Sequence, residues 1–441
     1  GDLHFSRVCG IMEPLRGGWD TMRRALVFSG GGSRGSYEVG AWQALSELCI
    51  RFQMCFGTSI GAINAAAVLQ GDIESAVHLW DNMTSDRIIS TNSEQAFQIE
   101  RMFNRKRDLL PFLLEHARQL RVDIAPLEAL LREHLDERRV RASGMDFGLI
   151  ALRFPSLSPA HRTLATIPEG RLIDWIIASA SCFPVFPTRQ IDGDRYIDGG
   201  YYDNLPIDMA IRAGADEVVA VDIHPMHTHP EYQRMPFLTT IMPRRSLGNF
   251  LDFNADVLKR NRLIGYYDAM KKFGRFDGLF YTFTRLNDLR ATTAGRRFMT
   301  EVAAFDAIAV TRVTIGSKMV QAPVISAIES DLPEASLTYK QVYIRGLELA
   351  AAKLGFNEAA IYDADELTGR ILSYISAAED APELRSVQDV EALMKLSDRQ
   401  IIASMLRCLR DNGRFPEMWI GDLAELPGHA AAALYLKCAC G

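Results

Sequence analysis

The chain has 441 residues, of which 48% are hydrophobic and 24% charged, and its formal net charge is −6. This composition is typical of a folded globular protein, and the length suits two or three domains or one large domain with an appendage. The acidic balance argues against a nucleic-acid partner, because phosphate binding leaves a basic footprint. Contact with a membrane surface stays open, since a local basic patch is enough for it.

Neither the cysteines nor the apolar runs indicate an exported or membrane-spanning protein. Seven cysteines are scattered without a CxxC pair, which fits reduced thiols better than a disulfide framework. No run of eighteen apolar residues occurs, and residues 1–24 lack the basic start and apolar stretch of a signal peptide. We therefore expect a cytoplasmic protein whose only membrane contact is peripheral.

After an N-terminal extension predicted at residues 1–23, short apolar strands alternate with helices. Strands are predicted at 25–28 and 52–56, and each is followed by a glycine-rich turn and a helix, at 37–48 and 62–69. Strands that are apolar on both faces and alternate with helices are typical of a parallel sheet covered on both sides. The predicted fold class is therefore α/β.

The first glycine-rich turn consists of Gly30, Gly31, Gly32, Ser33, Arg34 and Gly35. Consecutive glycines bring backbone N–H groups close to a ligand, and the helix N-terminus that follows adds a partial positive charge. Such a turn can place several donors around one small anionic atom. A dinucleotide site shares this strand, turn and helix, but it needs an acidic residue at the end of the second strand, where Gly57-Thr58-Ser59 stands instead.

The second turn, from Gly57 to Gly61, has the GxSxG pattern between an apolar strand and an apolar helix. In that setting the serine occupies a strained turn, the flanking glycines avoid clashes, and the hydroxyl projects above the sheet. We predict that Ser59 is a nucleophile and that Gly57 and Gly61 form its elbow. The competing interpretation is a tight turn in which Ser59 only caps the helix.

Residues 73–141 form a predicted helical, charged insertion, in which the stretch from Arg101 to Arg107 is strongly basic. Its simplest interpretation is a solvated insertion, and the alternative is a lid or a membrane-facing segment. Two more buried strands are predicted at 147–152 and 217–222. Between them lies Asp198-Gly199-Gly200, which alone is ordinary turn chemistry.

The rest of the chain is mostly helical in its pattern. A long helix is predicted at 251–272, and a strand at 278–283 could extend the sheet. Beyond residue 317, helices with caps and apolar periodicity are predicted at 363–369, 389–396 and 397–409.

Four features, in this order, resemble the patatin-like phospholipase family. They are a glycine triplet with a nearby Arg-Gly, GxSxG, an Ala-Ser-x-x-x-Phe-Pro stretch within residues 178–187, and Asp-Gly-Gly. The match covers about residues 24–223. The resemblance implies a mostly parallel central sheet between helices, in a catalytic domain that we place at 24–320, followed by a mainly helical region at 321–441.

The same resemblance implies a catalytic dyad of Ser59 and Asp198, with Gly199 and Gly200 supporting the aspartate and the turn at 30–35 forming an oxyanion hole. It implies hydrolysis of acyl esters in lipids, of the phospholipase A or lysophospholipase type, with no metal or other cofactor. In this scheme Asp198 takes the proton of Ser59, an acyl-Ser59 intermediate forms, and Asp198 then activates the water that releases the fatty acid.

A dyad without histidine requires an unusual carboxylate. An exposed Asp, with a pKa of about 3.9, is a poor base, whereas enclosure in an apolar cleft raises the pKa. The aromatic residues near enough in sequence to help form such a cleft are Phe183, Phe186, Tyr196 and Tyr201. Beside the glycine turn, Arg34 is placed either to meet a phosphate or carboxylate of the substrate or to face solvent and a salt-bridge partner.

Three histidines that follow the predicted strand at 217–222 offer another interpretation: His224, His227 and His229. The order Ser59, Asp198, His224 would satisfy the triad of an α/β-hydrolase. The alternating histidines on a proline-flanked loop could instead chelate a metal. The simplest interpretation is a polar surface loop.

Three functional hypotheses follow. All four features support a lipid acyl hydrolase, which acts on a lipid or acyl-ester substrate in peripheral contact with a membrane surface. A soluble esterase or thioesterase that never meets a bilayer would carry the same motifs. A non-catalytic interaction module would require the intact Ser59, Asp198 and glycine turn to be vestigial.

Overall fold

The computed structural model describes residues 22–83, 124–224, 229–232, 235–313, 322–332, 336–378, 380–384 and 390–440. These residues form two compact units, which divide between Lys272 and Phe273. Most of the predicted N-terminal extension, the basic stretch from Arg101 to Arg107, and His227 lie outside the described residues. Each unit has its own hydrophobic core and is described by itself.

The first unit is built around one mixed sheet. Its described strands are β1 Arg24–Phe28, β2 Met54–Thr58, β3 Asp146–Phe154, β4 Ser158–Thr163, β5 Arg189–Ile191, β6 Asp194–Asp198, β7 Glu217–Val221 and β8 Leu238–Ile241. They run in the order β5-β6-β3-β2-β1-β7-β8, and β4 also pairs with β3. The pairs β1–β2, β1–β7, β2–β3 and β7–β8 are parallel, whereas β3–β4, β3–β6 and β5–β6 are antiparallel.

The parallel centre of the sheet follows from the apolar runs in the sequence. Residues 25–28 of β1 and all of β2 are buried, as expected for strands that are covered on both faces. The predicted α/β class, with a central sheet between helices, is confirmed. The antiparallel edge formed by β4, β5 and β6 makes the sheet mixed as a whole.

Eight described helices accompany this sheet. They are α1 Ser36–Glu47, α2 Ile60–Gln70, α3 Ile73–Asn82, α4 Ala125–His134, α5 Glu137–Ala142, α6 Leu172–Ser179, α7 Ile207–Arg212 and α8 Ala255–Lys272. Helix α8 begins four residues later than predicted, because Asn254 caps it: the side-chain oxygen of Asn254 accepts the N–H of Asp256 at 2.9 Å. Helices α1 and α8 pack closely where a Cβ on Gly40 would lie 1.8 Å from the carbonyl oxygen of Arg262.

The second unit is mainly helical. Its described helices are α9 Asp288–Val313, α10 Pro323–Glu329, α11 Tyr339–Lys353, α12 Ala364–Ser376, α13 Val390–Met394, α14 Asp398–Asn412, α15 Glu417–Leu423 and α16 Pro427–Cys440. Two short strands, β9 Thr282–Phe283 and β10 Ile361–Tyr362, form a separate parallel pair. Within the described ranges of both units, no helix combines the length and the apolar character needed to cross a membrane.

The predicted strand at 278–283 is therefore wrong in its extent and in its partner. Only its last two residues are extended, and they pair with β10 rather than with the central sheet. The backbone N–H groups of Leu279, Phe280 and Tyr281 all donate to one carboxylate oxygen of Glu348, at 2.7, 2.8 and 3.0 Å. Donors that are held by a side chain are not available for a strand ladder.

The two units divide at residue 272, whereas the sequence placed the division near residue 320. Helix α9 accounts for the difference, because it packs on α11 and α16 within the second unit. Phe298 of α9 is fully buried there, with its ring centroid 5.9 Å from that of Tyr435. The sequence pattern predicts no helix at 288–313 and therefore does not show which core these residues join.

Candidate active site

The strand register brings the two predicted catalytic residues to the same edge of the sheet. Thr58, the last residue of β2, pairs with Ile150, and β3 continues for four more residues. Strand β6 runs back along this extension, so that its last residue, Asp198, lies opposite Ala151. Ser59 follows Thr58 directly and therefore meets Asp198, although 139 positions separate them in the chain.

Ser59 occupies a strained turn between β2 and α2. Its φ of 56° and ψ of −126° lie in a region that costs a non-glycine residue about 1–3 kcal/mol. The flanking glycines have no space for side chains: a Cβ on Gly57 would lie 2.1 Å from the carbonyl oxygen of Gly61, and one on Gly61 would lie 2.6 Å from that of Ser29. This geometry is that of a nucleophile elbow.

The Ser59 hydroxyl donates to Oδ2 of Asp198 at 2.6 Å. The other carboxylate oxygen accepts the backbone N–H of Gly200 at 2.7 Å. Asp198 is only 3% exposed, and this burial raises its pKa to about 7, against the lowering effect of both hydrogen bonds. A carboxylate with a pKa near neutrality matches the requirement for a general base at that pH.

The Asp-Gly-Gly turn is held tightly against its neighbours. A Cβ on Gly199 would lie 2.2 Å from the carbonyl oxygen of Ile150, and one on Gly200 would lie 2.8 Å from Oδ1 of Asn204. Both glycines therefore permit close approach of the backbone on either side of the turn.

The glycine turn lies beside Ser59, and its N–H groups have different partners. The N–H of Gly30 donates to the carbonyl oxygen of Asn204 at 3.0 Å, and that of Ser33 donates to Phe250 at 2.7 Å. For the N–H groups of Gly31 and Gly32, the described part of the chain provides no acceptor. Of the six residues predicted for the oxyanion hole, these two therefore retain donors for a ligand.

The other predicted residues of the turn have different surroundings. Ser33 and Gly35 are buried, and the Ser33 hydroxyl donates to the carbonyl oxygen of Asn249 at 3.0 Å. Arg34 lines the cleft, and its guanidinium donates through Nε and Nη2 to the carbonyl oxygen of Gly248, at 2.9 and 2.7 Å. The geometry thus separates a ligand-facing part of the turn from a part that anchors it.

Two serines of the Ala-Ser-x-x-x-Phe-Pro stretch support the site, and sequence reasoning did not single them out. Ser179 accepts the N–H of Ser59 at 3.0 Å through its hydroxyl, which donates to Ile150 at 2.6 Å. The carbonyl oxygen of Ser181 accepts the N–H of Asp198 at 2.8 Å. The sequence indicates this stretch only as a family motif, and in the structure it holds the backbone of both Ser59 and Asp198.

Asn204 is a third residue whose role the sequence did not reveal. Its side-chain amide donates to the carbonyl oxygen of Gly30 at 3.1 Å, while its own carbonyl oxygen accepts the Gly30 N–H. The signal in the sequence was the Asp203-Asn204 pair after Asp-Gly-Gly. That pair looks like turn chemistry until its partner in the glycine turn is known.

The described histidines lie outside the hydrogen-bonded pair of Ser59 and Asp198. His224 lines the cleft, but no histidine among the described residues is hydrogen-bonded to Ser59 or Asp198. His229 lies between Asp203 and Glu231 instead. In the described ranges, no group of three or more His, Cys, Asp or Glu side chains is arranged to hold a metal.

The walls of the cleft are largely apolar. Its apolar lining residues are Ile60, Ile63, Met83, Leu127, Ala180, Phe186, Phe250, Leu251 and Phe253. Of the four aromatic residues expected from the sequence, only Phe186 lines the cleft. Phe183 packs against Phe154 behind it, Tyr196 against Trp175, and the hydroxyl of Tyr201 donates to the carbonyl oxygen of Phe183.

Comparison with known proteins gives phospholipases among the relatives of this chain. The chain is 27% identical over 226 residues to a cUMP-AMP-activated phospholipase of Escherichia coli, covering 46% of this chain and 62% of that protein. It is 27% identical over 206 residues to patatin-like phospholipase domain-containing protein 7 of Rattus norvegicus, covering 45% of this chain and 13% of that protein. The chain therefore spans less than two thirds of the length of either relative.

Among solved structures, VipD from Legionella pneumophila aligns over 95% of this chain and 90% of its own, at 14% identity and a TM-score of 0.34. The family model of patatin-like phospholipase matches residues 26–211. This range contains the glycine turn, Ser59 and Asp198, and the resemblance based on these motifs is confirmed. The chain therefore carries a patatin-like phospholipase domain over residues 26–211.

Proposed function

We propose that this domain hydrolyses acyl ester bonds in lipids, in the manner of a phospholipase A or lysophospholipase, with Ser59 as nucleophile and Asp198 as its base. The observation that carries the proposal is the 2.6 Å hydrogen bond from the Ser59 hydroxyl to a carboxylate that is 3% exposed. A serine hydroxyl needs such a partner, because it is a weak nucleophile until a base accepts its proton.

The first half-reaction uses both the Ser59–Asp198 pair and the glycine turn. Asp198 accepts the proton of Ser59 as the serine oxygen attacks the ester carbonyl. The carbonyl oxygen becomes an oxyanion, and the N–H groups of Gly31 and Gly32 donate to it. One essential donor of this kind is worth about 3–4 kcal/mol of transition-state stabilisation. The proton then passes from Asp198 to the departing alcohol, which leaves an acyl ester on Ser59.

The second half-reaction repeats these roles with water. Asp198, again ionised, accepts a proton from a water molecule that attacks the acyl ester. The same two N–H groups stabilise the second oxyanion, and the proton returns to Ser59 as the fatty acid leaves. A pKa of about 7 suits Asp198 to both directions of transfer, because neither protonation state is strongly favoured at neutral pH.

The apolar walls support a lipid substrate over a small polar ester. Phe186 and Phe250 lie far apart in the chain, yet both line the cleft that contains Ser59. Each methylene group that moves from water into such a cleft contributes about 0.8 kcal/mol. A fatty acyl chain can therefore supply substantial binding energy there, whereas an acetyl group cannot.

The test is a lipid panel read by mass spectrometry, with wild type, Ser59→Ala, Asp198→Asn and His224→Ala in parallel. The panel contains a diacyl phospholipid, a lysophospholipid, a short-chain ester and a thioester. We expect fatty-acid release by wild type and His224→Ala, and at least a thousandfold loss in the other two variants, by analogy with the cost of removing a member of a serine catalytic unit.

Two outcomes would count against the proposal. If Asp198→Asn keeps its turnover and His224→Ala loses it, His224 is the base and the site is a triad. If short esters or thioesters are turned over and neither lipid is hydrolysed, the substrate is a soluble acyl ester.

A further inference from the structure

A charged cluster lies beside the loop that connects the Asp-Gly-Gly turn to α7. The ring of His229 is placed between two carboxylates: Nε2 lies 3.0 Å from Oδ1 of Asp203, and Nδ1 lies 2.9 Å from Oε1 of Glu231. Both ring nitrogens can donate only when the imidazole is protonated. The hydrogen bond to Asp203 is the main reason that the pKa of His229 is raised to about 9. His229 is thus a cation at neutral pH.

Asp203 connects this cluster to both catalytic turns. Its backbone carbonyl oxygen accepts the hydroxyl of Thr58, the residue before the nucleophile, at 3.0 Å. The next residue, Asn204, holds Gly30 from both sides, through its own carbonyl oxygen and its side-chain amide. A shift of residues 203 and 204 would therefore move the glycine turn and the elbow at once.

We propose that His229 is a positioning residue for the reaction, because it fixes Asp203 and, through Asn204, the glycine turn that receives the oxyanion. The inference rests on the proposed function of the site. His229 does not touch the reacting atoms in this scheme. It acts by holding a largely buried carboxylate, whose side chain is 11% exposed, in one place. Without His229, Oδ1 of Asp203 keeps the N–H of Leu205 as a donor at 3.1 Å, but the charge loses its cationic partner. The carboxylate is then drawn towards water and takes residues 203 and 204 with it.

The experiment compares His229→Leu, which removes both donors, with His229→Gln, which retains a donor for Asp203. Turnover of a short-chain ester gives kcat and KM, and thermal unfolding reports folding. Displacing a catalytic group by about 1 Å can lower a rate by up to a hundredfold. We expect His229→Leu to lower kcat about 10- to 100-fold with KM within about twofold, and His229→Gln to recover part of the loss.

Tyr232→Phe is the matched control on the same segment. The Tyr232 hydroxyl donates to Asp208 at 2.5 Å, so this variant also loses one hydrogen bond to a carboxylate, but to one in α7. We expect wild-type kcat and KM. A second control is the Asn204→Ala background. If His229 acts through Asn204, His229→Leu lowers kcat much less in that background than in wild type.

The outcomes separate this inference from the proposed function. If Ser59→Ala keeps its turnover, the proposed function fails whatever His229 does. If Ser59→Ala is inactive and His229→Leu keeps wild-type kcat, only the positioning role is overturned. The role is also overturned if the losses from His229→Leu and Asn204→Ala simply multiply, or if neither His229 variant folds, because His229 would then serve folding alone.

Discussion

Replacing Asp198 with asparagine should abolish catalysis and, at alkaline pH, stabilise the fold. Burial raises the pKa of this carboxyl from its ordinary value of 3.8 to about 7. Between these two values the folded chain binds a proton that the unfolded chain has released. Stability that depends on this proton is therefore present at low pH and is lost as pH rises from about 4 to about 7. Asparagine is neutral in both states and has no such dependence.

The size of the effect follows from the shift. Each pKa unit corresponds to 1.36 kcal/mol, so the loss between pH 5 and pH 8 is about 2 units, or roughly 3 kcal/mol. Other titrating groups change the stability of both proteins equally. The free energy of unfolding of Asp198→Asn should therefore rise by about 3 kcal/mol relative to that of wild type between pH 5 and pH 8.

Urea-induced unfolding of the full chain at pH 5 and pH 8, for wild type and Asp198→Asn, measures this difference directly. Ser59→Ala is the matched control, because it removes the hydroxyl donor but leaves the buried carboxyl in place. We expect its stability to fall with pH at least as steeply as that of wild type. Parallel pH dependences for wild type and Asp198→Asn would show that Asp198 titrates near its ordinary pKa and would refute the reasoning.

Three further predictions concern other features. Since the ionised form of Asp198 is the base, kcat/KM should fall about tenfold per pH unit below pH 7, and a profile that is flat down to pH 5 would contradict this. Gly32→Ala should abolish labelling of Ser59 by a fluorophosphonate ester, because φ of Gly32 is +59° and a Cβ would lie 2.1 Å from the carbonyl oxygen of Phe250. The control is Gly71→Ala, which should be labelled normally, because Gly71 has a similar φ of +75° but free space where a Cβ would lie. Glu348→Ala should lower the free energy of unfolding by about 3–5 kcal/mol while leaving labelling intact, because it leaves the buried guanidinium of Arg345, 3.3 Å from Glu348, without its carboxylate; an unchanged unfolding curve would count against this ion pair.

The sequence predicts the centre of the fold better than its edges. The buried strands β1 and β2 carry their own signal, because they are apolar on both faces and end in glycine turns. The antiparallel edge carries none, since β5 has three residues and β4 has exposed or half-exposed side chains throughout. The apolar run at 278–283 gives the opposite error. It has the composition of a strand, but Glu348, more than sixty residues away, binds its backbone donors.

The residues of the candidate site also differ in how far they can be predicted from the sequence. Ser59 is predictable from five consecutive residues, because the strain of the elbow is local. Asp198 is not, since its place depends on how far β3 extends beyond β2 and on the return of β6 along that extension. Of the six residues predicted for the oxyanion hole, Gly31 and Gly32 have N–H groups without an acceptor among the described residues, and this too depends on distant contacts. The acceptors of the Gly30 and Ser33 N–H groups, Asn204 and Phe250, lie far away in the sequence.

The buried carboxylate connects the stability of the fold to the proposed chemistry. In a serine hydrolase with a histidine base, the aspartate can stay fully ionised, because histidine supplies a pKa near neutrality. In the dyad proposed for this chain, the base is Asp198, and only its surroundings can raise its pKa. The burial that makes it a useful base is the burial that destabilises its charged form. A substitution that opens the cleft to water, such as Phe186→Ser, should therefore lower the pKa of Asp198 and weaken the base while it relieves the alkaline instability.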